Sequence, residues 1–310
     1  MPETSATKHT FTSVCVYGAN CNYVSSLVDE IVEDDQNHAL IFINNSGTWF
    51  HRALPFAVGD LCSKRSSPEM VLSMGIDGEV NIFTNPGEAG AATEQIDQSA
   101  NGPSDLIPLR SIREIGNSVY ACGMARHVYR RDPAGNWSTI DEGLFVARDQ
   151  RDASVGLNSI DGFDDSTIYT VGYQGEIWFF DGTRWQQQDS PTNVLLTKVR
   201  CCSNNVVYAA GLAGVLLRKI GDSGWEQVSQ QTVEDDIWGM TYFKGQLYLS
   251  THENVFVLKD DDLIEVDMQL PEPISTAYLD SDSEVMWSVG GKDIAETDDG
   301  VVWRTIPAPD

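Results

Sequence analysis

A cassette recurs down this chain: a hydrophobic run ending near a glycine, a second strand-like run, a short turn, then tryptophan. Its clearest copies are VYACGMARHVYRRDPAGNWSTI, IYTVGYQGEIWFFDGTRWQQQ, VVYAAGLAGVLLRKIGDSGWEQV and VMWSVGGKDIAETDDGVVWRTI. The glycines are Gly123, Gly172, Gly211 and Gly290, and the tryptophans are Trp137, Trp185, Trp225 and Trp303. Successive tryptophans lie 48, 40 and 78 residues apart, and the last interval is two periods of 39. The copy without a tryptophan is LYLSTHENVFVLKDDDLIEV, with Ser250 in the glycine position and Leu263 in the tryptophan position. A period near 40 with four strand-sized segments per unit predicts a β-propeller.

The repeat continues toward the N-terminus. Trp49 stands 88 residues before Trp137, two periods of 44, and MVLSMGIDGEVNIF supplies Gly75, 48 residues before Gly123. The units fall at about 10–54, 55–100, 105–141, 155–189, 195–229, 234–268 and 274–307. This predicts an all-β chain: one propeller domain over 1–310, seven blades of four antiparallel strands. Six blades follow instead if the first unit is partial, because NCNYVSSLVDEIVEDDQNH makes a poor blade. Within it Val24, Leu27, Val28 and Ile31 have the i, i+3, i+4, i+7 spacing of a short helix. Whether the ring closes by sharing TFTSVCVY with the last blade stays open.

The recurrent residues need no chemistry to explain them. A glycine at the end of the second strand permits positive φ or close backbone approach. The tryptophan can cover the gap between neighbouring blades and bury a large apolar area. Leu263 covers less, which makes the sixth blade the expected loose one.

MPETSATKHTFTS lacks a basic segment followed by an apolar one, and no window approaches 18 consecutive apolar residues. Six cysteines show no framework spacing. A reduced, cytoplasmic chain is expected, with Cys122 and Cys202 read as small hydrophobes in or beside strands and the adjacent Cys201–Cys202 pair open to a vicinal disulfide or a soft metal as the alternative.

Charge narrows the partners. There are 46 acids against 20 bases, a formal −26, and residues 234–310 alone hold 18 acids and 4 bases. Such a field repels nucleic acid and anionic membrane and speeds capture of a basic protein.

Propeller geometry assigns these charges to faces. With strands a to d running outward in each blade, the b–c and d–a loops share one face. That face collects Arg126, His127, Tyr173, Gln174, His252, Glu253 and the run VEDDIW with Glu234, Asp235, Asp236 and Trp238. Its longest d–a connection, DEGLFVARDQRDASVGLN, adds Phe145, Arg148, Asp149, Arg151 and Asp152. Apolar residues among charges of both signs suit a partner contact. The opposite face collects Asp260–Asp261–Asp262 and Asp298–Asp299, read as solvated turns.

Catalytic signatures are sparse. GDSG at Gly221–Gly224 imitates a serine-protease nucleophile but lies in a c–d turn with no histidine and aspartate assigned to it. Asp280, Asp282 and Glu284 open like a calcium loop, yet Val285 occupies the glycine position and Gly291 the bidentate glutamate position. The five histidines form no zinc pattern, and no phosphate-cradling glycine loop occurs. No catalytic residue, metal or cofactor is assigned.

ETDDGVVW (Glu296–Trp303) resembles the Asp-box S-x-D-x-G-x-T-W of sialidase-type propellers, keeping Asp298, Gly300 and Trp303. Glu296 and Val302 depart from it, and the other turns keep tryptophan within shortened boxes, as in degenerate Asp-box propellers of the YCF48 type. Sialidase resemblance implies an arginine cluster, a Tyr/Glu nucleophile pair and an acid/base Asp. That set does not map here: RTIP at Arg304–Pro307 falls after the last box.

Two functional classes follow. The leading one is a non-enzymatic propeller whose acidic surface engages a basic protein, in its concrete form a bacterial immunity protein neutralising a toxin. The alternative is a glycoside hydrolase or other carbohydrate-active propeller, which needs two carboxylates within reaction distance.

Overall fold

In every unit the chain runs as a four-stranded antiparallel meander laid down in sequence order from the centre of a ring outward. The computed structural model describes residues 8–32, 37–84, 91–104, 107–146 and 155–309. Blade 1 contains β1 His9–Gly18, β2 Cys21–Val28, β3 Ala39–Asn45 and β4 Thr48–Leu54. Blade 2 contains β5 Val58–Lys64, β6 Met70–Gly75, β7 Glu79–Phe83 and β8 Ala91–Gln95. Blade 3 contains β9 Leu109–Ile115, β10 Ser118–Gly123, β11 Val128–Arg131 and β12 Trp137–Thr139. Blade 4 contains β13 Leu157–Asp164, β14 Thr167–Gly172, β15 Ile177–Phe180 and β16 Trp185–Gln188. Blade 5 contains β17 Leu196–Cys202, β18 Val206–Gly211, β19 Leu216–Ile220 and β20 Glu226–Gln227. Blade 6 contains β21 Gly239–Phe243, β22 Gln246–Ser250, β23 Val255–Lys259 and β24 Asp262–Glu265. Blade 7 contains β25 Tyr278–Ser281, β26 Met286–Val289, β27 Ile294–Thr297 and β28 Arg304–Thr305. The fold is therefore a seven-bladed β-propeller.

The segment with helical spacing is mostly strand. Cys21–Val28 forms β2, paired with β1 and β3, and only Asp29–Val32 makes a helical turn, α1. Asn22–Ser26 is buried on both faces between neighbours, so sheet pairing overrides the helical periodicity there. Burial grades outward: every residue of β6 is buried, whereas β4 is exposed or half-buried at every position but Leu54. Second strands accordingly read as continuous apolar runs.

The tryptophans reach back to the preceding blade. Trp185 donates its indole N–H to the Ile140 carbonyl at 2.7 Å, Trp137 to Glu94 at 2.9 Å, and Trp49 to the Pro307 carbonyl at 2.9 Å. Trp225 meets Tyr169 edge-on at 6.0 Å, and Trp303 packs with Phe243 and Tyr248. Covering an indole in this way contributes on the order of 5 kcal/mol by area. Leu263 is fully buried against Cys202, Ala210 and Leu216 of blade 5, so the sixth seam is closed despite its smaller side chain.

The glycines serve close approach. A Cβ on Gly172 would lie 1.9 Å from the Gly156 carbonyl oxygen. In blade 6 the roles are exchanged across the a–b pair: Ser250 faces Gly239, whose own Cβ would lie 2.3 Å from the Ser250 hydroxyl.

The ring closes without a shared strand among the described residues: β1 pairs with β2, and the last sheet holds β25 to β28. Closure uses Phe11 N–H to the Gly291 carbonyl (2.9 Å), Val16 N–H to Asp280 (2.8 Å) and the Trp49–Trp287 ring contact at 6.3 Å.

Candidate partner-binding face

The b–c and d–a loops do share one face, because they bond to one another. Around blades 3 and 4, Arg126 forks onto Glu176 and lies 5.4 Å above the Trp178 ring, while Trp178 donates to Glu176 at 3.1 Å. His127, buried, contacts Asp141 through Nδ1 at 2.9 Å and packs against the tilted ring of Phe145, centroids 4.6 Å apart. Phe145 and Tyr173 are half-buried and pack on Ile107, Met124 and Ala125. The structure thus brings these two expected contact residues together as a small apolar step. Arg148, Asp149, Arg151 and Asp152 lie outside the described residues.

Around blades 5 and 6 the acidic run divides into two roles. Glu234 and Asp235 are exposed. Asp236 is half-buried and accepts the Ala213 N–H at 2.9 Å, while the Asp235 carbonyl accepts Gly214 N–H at 2.9 Å. Asp236 therefore fastens the blade 5 b–c loop. Trp238 is half-buried rather than exposed, with its ring 5.5 Å from that of His252. His252 and Glu253 are exposed on the b–c loop of blade 6.

Beside Glu253 the structure adds a feature absent from the sequence reading. A groove of about 260 Å³ runs between this b–c loop and the d–a connection after β24. Its apolar side is Val266, Met268, Leu270 and Ile274, half-buried against the core cluster between blades 6 and 7, of which Val255 also lines the groove. Its rim is Glu253, Glu265, Asp267 and Glu272, all exposed. The signal was present in VDMQL, where apolar residues alternate with polar ones outside any strand.

The central channel holds a second cavity, about 280 Å³, walled by the innermost strands. Its charges bind each other. Arg113 lies 3.4 Å from Asp161 and 3.7 Å from Asp280; Arg200 lies 3.8 Å and 3.9 Å from the same two carboxylates. Burial raises Asp161 and Asp280 above the ordinary carboxylate value, with Arg113 opposing the shift. Asp280 is thus a channel residue and not part of a calcium loop, while Asp282 caps its own turn by accepting Glu284 and Val285 N–H at 2.8 Å each. Among the described residues no group of three His, Cys, Asp or Glu could share a metal ion.

The other sequence signatures resolve into structure. Ser223 of GDSG accepts Ile220 N–H at 3.1 Å and donates to the Gly224 carbonyl at 3.1 Å. All six cysteines are unpaired, and burial pushes the Cys122 thiol up to about 12 and Cys201 far above its usual range, so neither supplies a thiolate. In ETDDGVVW the turn is made by Asp299, which accepts Val301 and Val302 N–H at 2.7 and 2.8 Å; Asp298 faces Arg304 at 3.5 Å. No helix among the described residues is long and apolar enough to cross a membrane.

No family model matches the chain. Among solved structures, it is similar to a catalytically inactive virginiamycin B lyase of Staphylococcus aureus with quinupristin, at TM-score 0.72 and 12% identity over 94% of this chain and 95% of that one. It is also similar to YCF48 bound to D1 peptide, at TM-score 0.67 and 14% identity over 97% and 93%. These likenesses establish the propeller alone. The sequence relative is of another order: the immune protein Tsi7 of Pseudomonas aeruginosa is 35% identical over 289 residues, 92% of each chain. At that identity and coverage, the chain belongs to the family of the immune protein Tsi7.

Proposed function

We propose that the chain is an immunity protein that neutralises a toxin by binding it, without catalysis, on the face formed by the b–c and d–a loops. The observation that carries this reading is the 35% identity to an immune protein across 92% of both chains. The choice of face and of a basic partner rests on charge. The described loops 228–238, 251–254 and 266–277 on this face carry Glu234, Asp235, Asp236, Glu253, Asp267 and Glu272 and no lysine or arginine. Unpaired surface carboxylates of one sign favour fast, salt-sensitive capture of a basic protein.

The test has two arms. Basic proteins retained from a bacterial lysate at low salt and released at high salt are identified, and each is produced in a bacterial host with and without this chain. Relief of growth arrest by stoichiometric chain, with complex formation and no alteration of the toxin's covalent structure, supports the reading. Failure to protect against any retained protein, together with turnover of glycosides by the pure chain, would sink it in favour of the carbohydrate-active alternative.

A further inference from the structure

We infer that the groove on blade 6 is an anchor site for a segment of the toxin that presents one aliphatic or aromatic side chain flanked by lysine or arginine. The inference rests on the immunity reading and adds the part of the face where binding is concentrated.

Shape and charge point to the same occupant. A space of about 260 Å³ exceeds the roughly 150 Å³ that suffices for a benzene ring in an apolar cavity. Met268 and Ile274 give it an apolar wall, and methionine adapts to whatever enters. Here Glu253, Glu265, Asp267 and Glu272 stand around it, and no basic residue lines it. No ion pair engages any of these four carboxylates among the described residues, in contrast to Glu176, Glu94 and Asp261, which hold Arg126, Arg131 and Arg218. An acidic or neutral apolar segment would bury the floor while leaving the rim's mutual repulsion in place. A basic flank relieves it. Desolvated apolar anchors at the centre of such a rim are where binding energy concentrates.

The anchor can be tested without the toxin. The ε-methyl groups of the seven methionines are isotope-labelled, and Met268 is assigned by Met268→Leu. The intact chain is titrated with the acetylated, amidated peptides Lys-Leu-Lys, Ser-Leu-Ser and Glu-Leu-Glu. The Met268 methyl is expected to shift with Lys-Leu-Lys and stay in place with Glu-Leu-Glu. The exposed pair Glu265→Lys/Glu272→Lys should weaken the response at least about tenfold, the factor for 1.4 kcal/mol, with the other methyl signals unmoved. Equal responses to the acidic and basic peptides, or none, overturn the inference. A Met268 shift with protein concentration alone overturns it too, because a second copy would then occupy the groove. The same double variant separates this inference from the reading beneath it. Unchanged toxin affinity removes the groove and leaves the immunity role standing, whereas a chain that protects against no toxin removes the role whatever the peptides do.

Discussion

Asp280, on the innermost strand of the last blade, accepts the backbone amide of Val16 on the innermost strand of the first at 2.8 Å. The same device appears at two other seams: Asp60 accepts Ile112 N–H at 3.1 Å, and Asp161 accepts Cys201 N–H at 2.9 Å. An innermost strand is a sheet edge, so its channel-side amides lack strand partners. A carboxylate from the preceding blade supplies the acceptor and, with Arg113 and Arg200, ties distant blades across the channel.

Asp280→Ala should therefore lower the unfolding free energy by about 3 kcal/mol, since it orphans a seam amide and takes a carboxylate from two arginines. Urea unfolding with native-like m-value is the measurement. A loss below about 1 kcal/mol would mean that solvent in the channel replaces the carboxylate.

The same two channel carboxylates set a pH dependence opposite to the usual one. Burial raises Asp161 and Asp280 above 3.8, so the native state holds their protons more tightly than the unfolded chain. Their contribution to stability is fully present below 3.8 and is lost as pH rises through the folded value. Asp132, Asp181 and Asp299, lowered by turn amides, act the other way: their contribution is present above 3.8 and lost as pH falls. Asp161→Asn removes one channel titration and leaves the turns intact. The stability gap between wild type and this variant should be wider at about pH 4 than at about pH 7. A gap independent of pH would show that Asp161 titrates alike in both states.

Gly172→Ala places a methyl 1.9 Å from the Gly156 carbonyl, where backbone must move, and should cost about 3 kcal/mol. Gly224, with nothing within 4 Å of its would-be Cβ, should tolerate alanine within about 0.5 kcal/mol. Parallel denaturation of the two variants checks both. Equal effects in the two variants would show that the Gly156 contact does not set the cost, because the change in chain entropy is common to both sites and favours alanine.

What the sequence disclosed and what it hid follow from how far apart the interacting residues lie. The seam tryptophans were legible because five of the seven units carry one at a step near 40 or a multiple of it, and Trp137, Trp185 and Trp225 all turn to the preceding blade. β2 was obscured because Val24, Leu27, Val28 and Ile31 satisfy a helical spacing although Val24, Leu27 and Val28 pair as strand. The channel lattice was hidden because its partners are 39 to 264 residues apart, from Arg200 and Asp161 to Asp280 and Val16. Of the proposed contact residues, Trp238 and His252 meet, and Phe145 and Tyr173 pack on one small apolar cluster. The apolar groove went unseen because Asp267, Glu272 and the two prolines Pro271 and Pro273 make its connection read as solvated loop.

That separation of roles refines what charge reversal should do on the acidic run. Glu234 and Asp235 are exposed, whereas Asp236 holds Ala213. Glu234→Lys/Asp235→Lys should leave stability within about 0.5 kcal/mol. It should slow association with the toxin by about tenfold at low ionic strength, with dissociation little changed, because rim charges act mainly on encounter. The difference should shrink as salt shortens the screening length from about 30 Å at 0.01 M to about 8 Å at 0.15 M. Asp236→Lys should behave differently: it frees the Ala213 amide, loosens the blade 5 loop and lowers stability by about 1 kcal/mol. Stopped-flow association across a salt series, paired with urea unfolding, distinguishes the two effects. If the double reversal leaves the association rate unchanged at every salt concentration, the run takes no part in capture, and the toxin approaches over another part of the face.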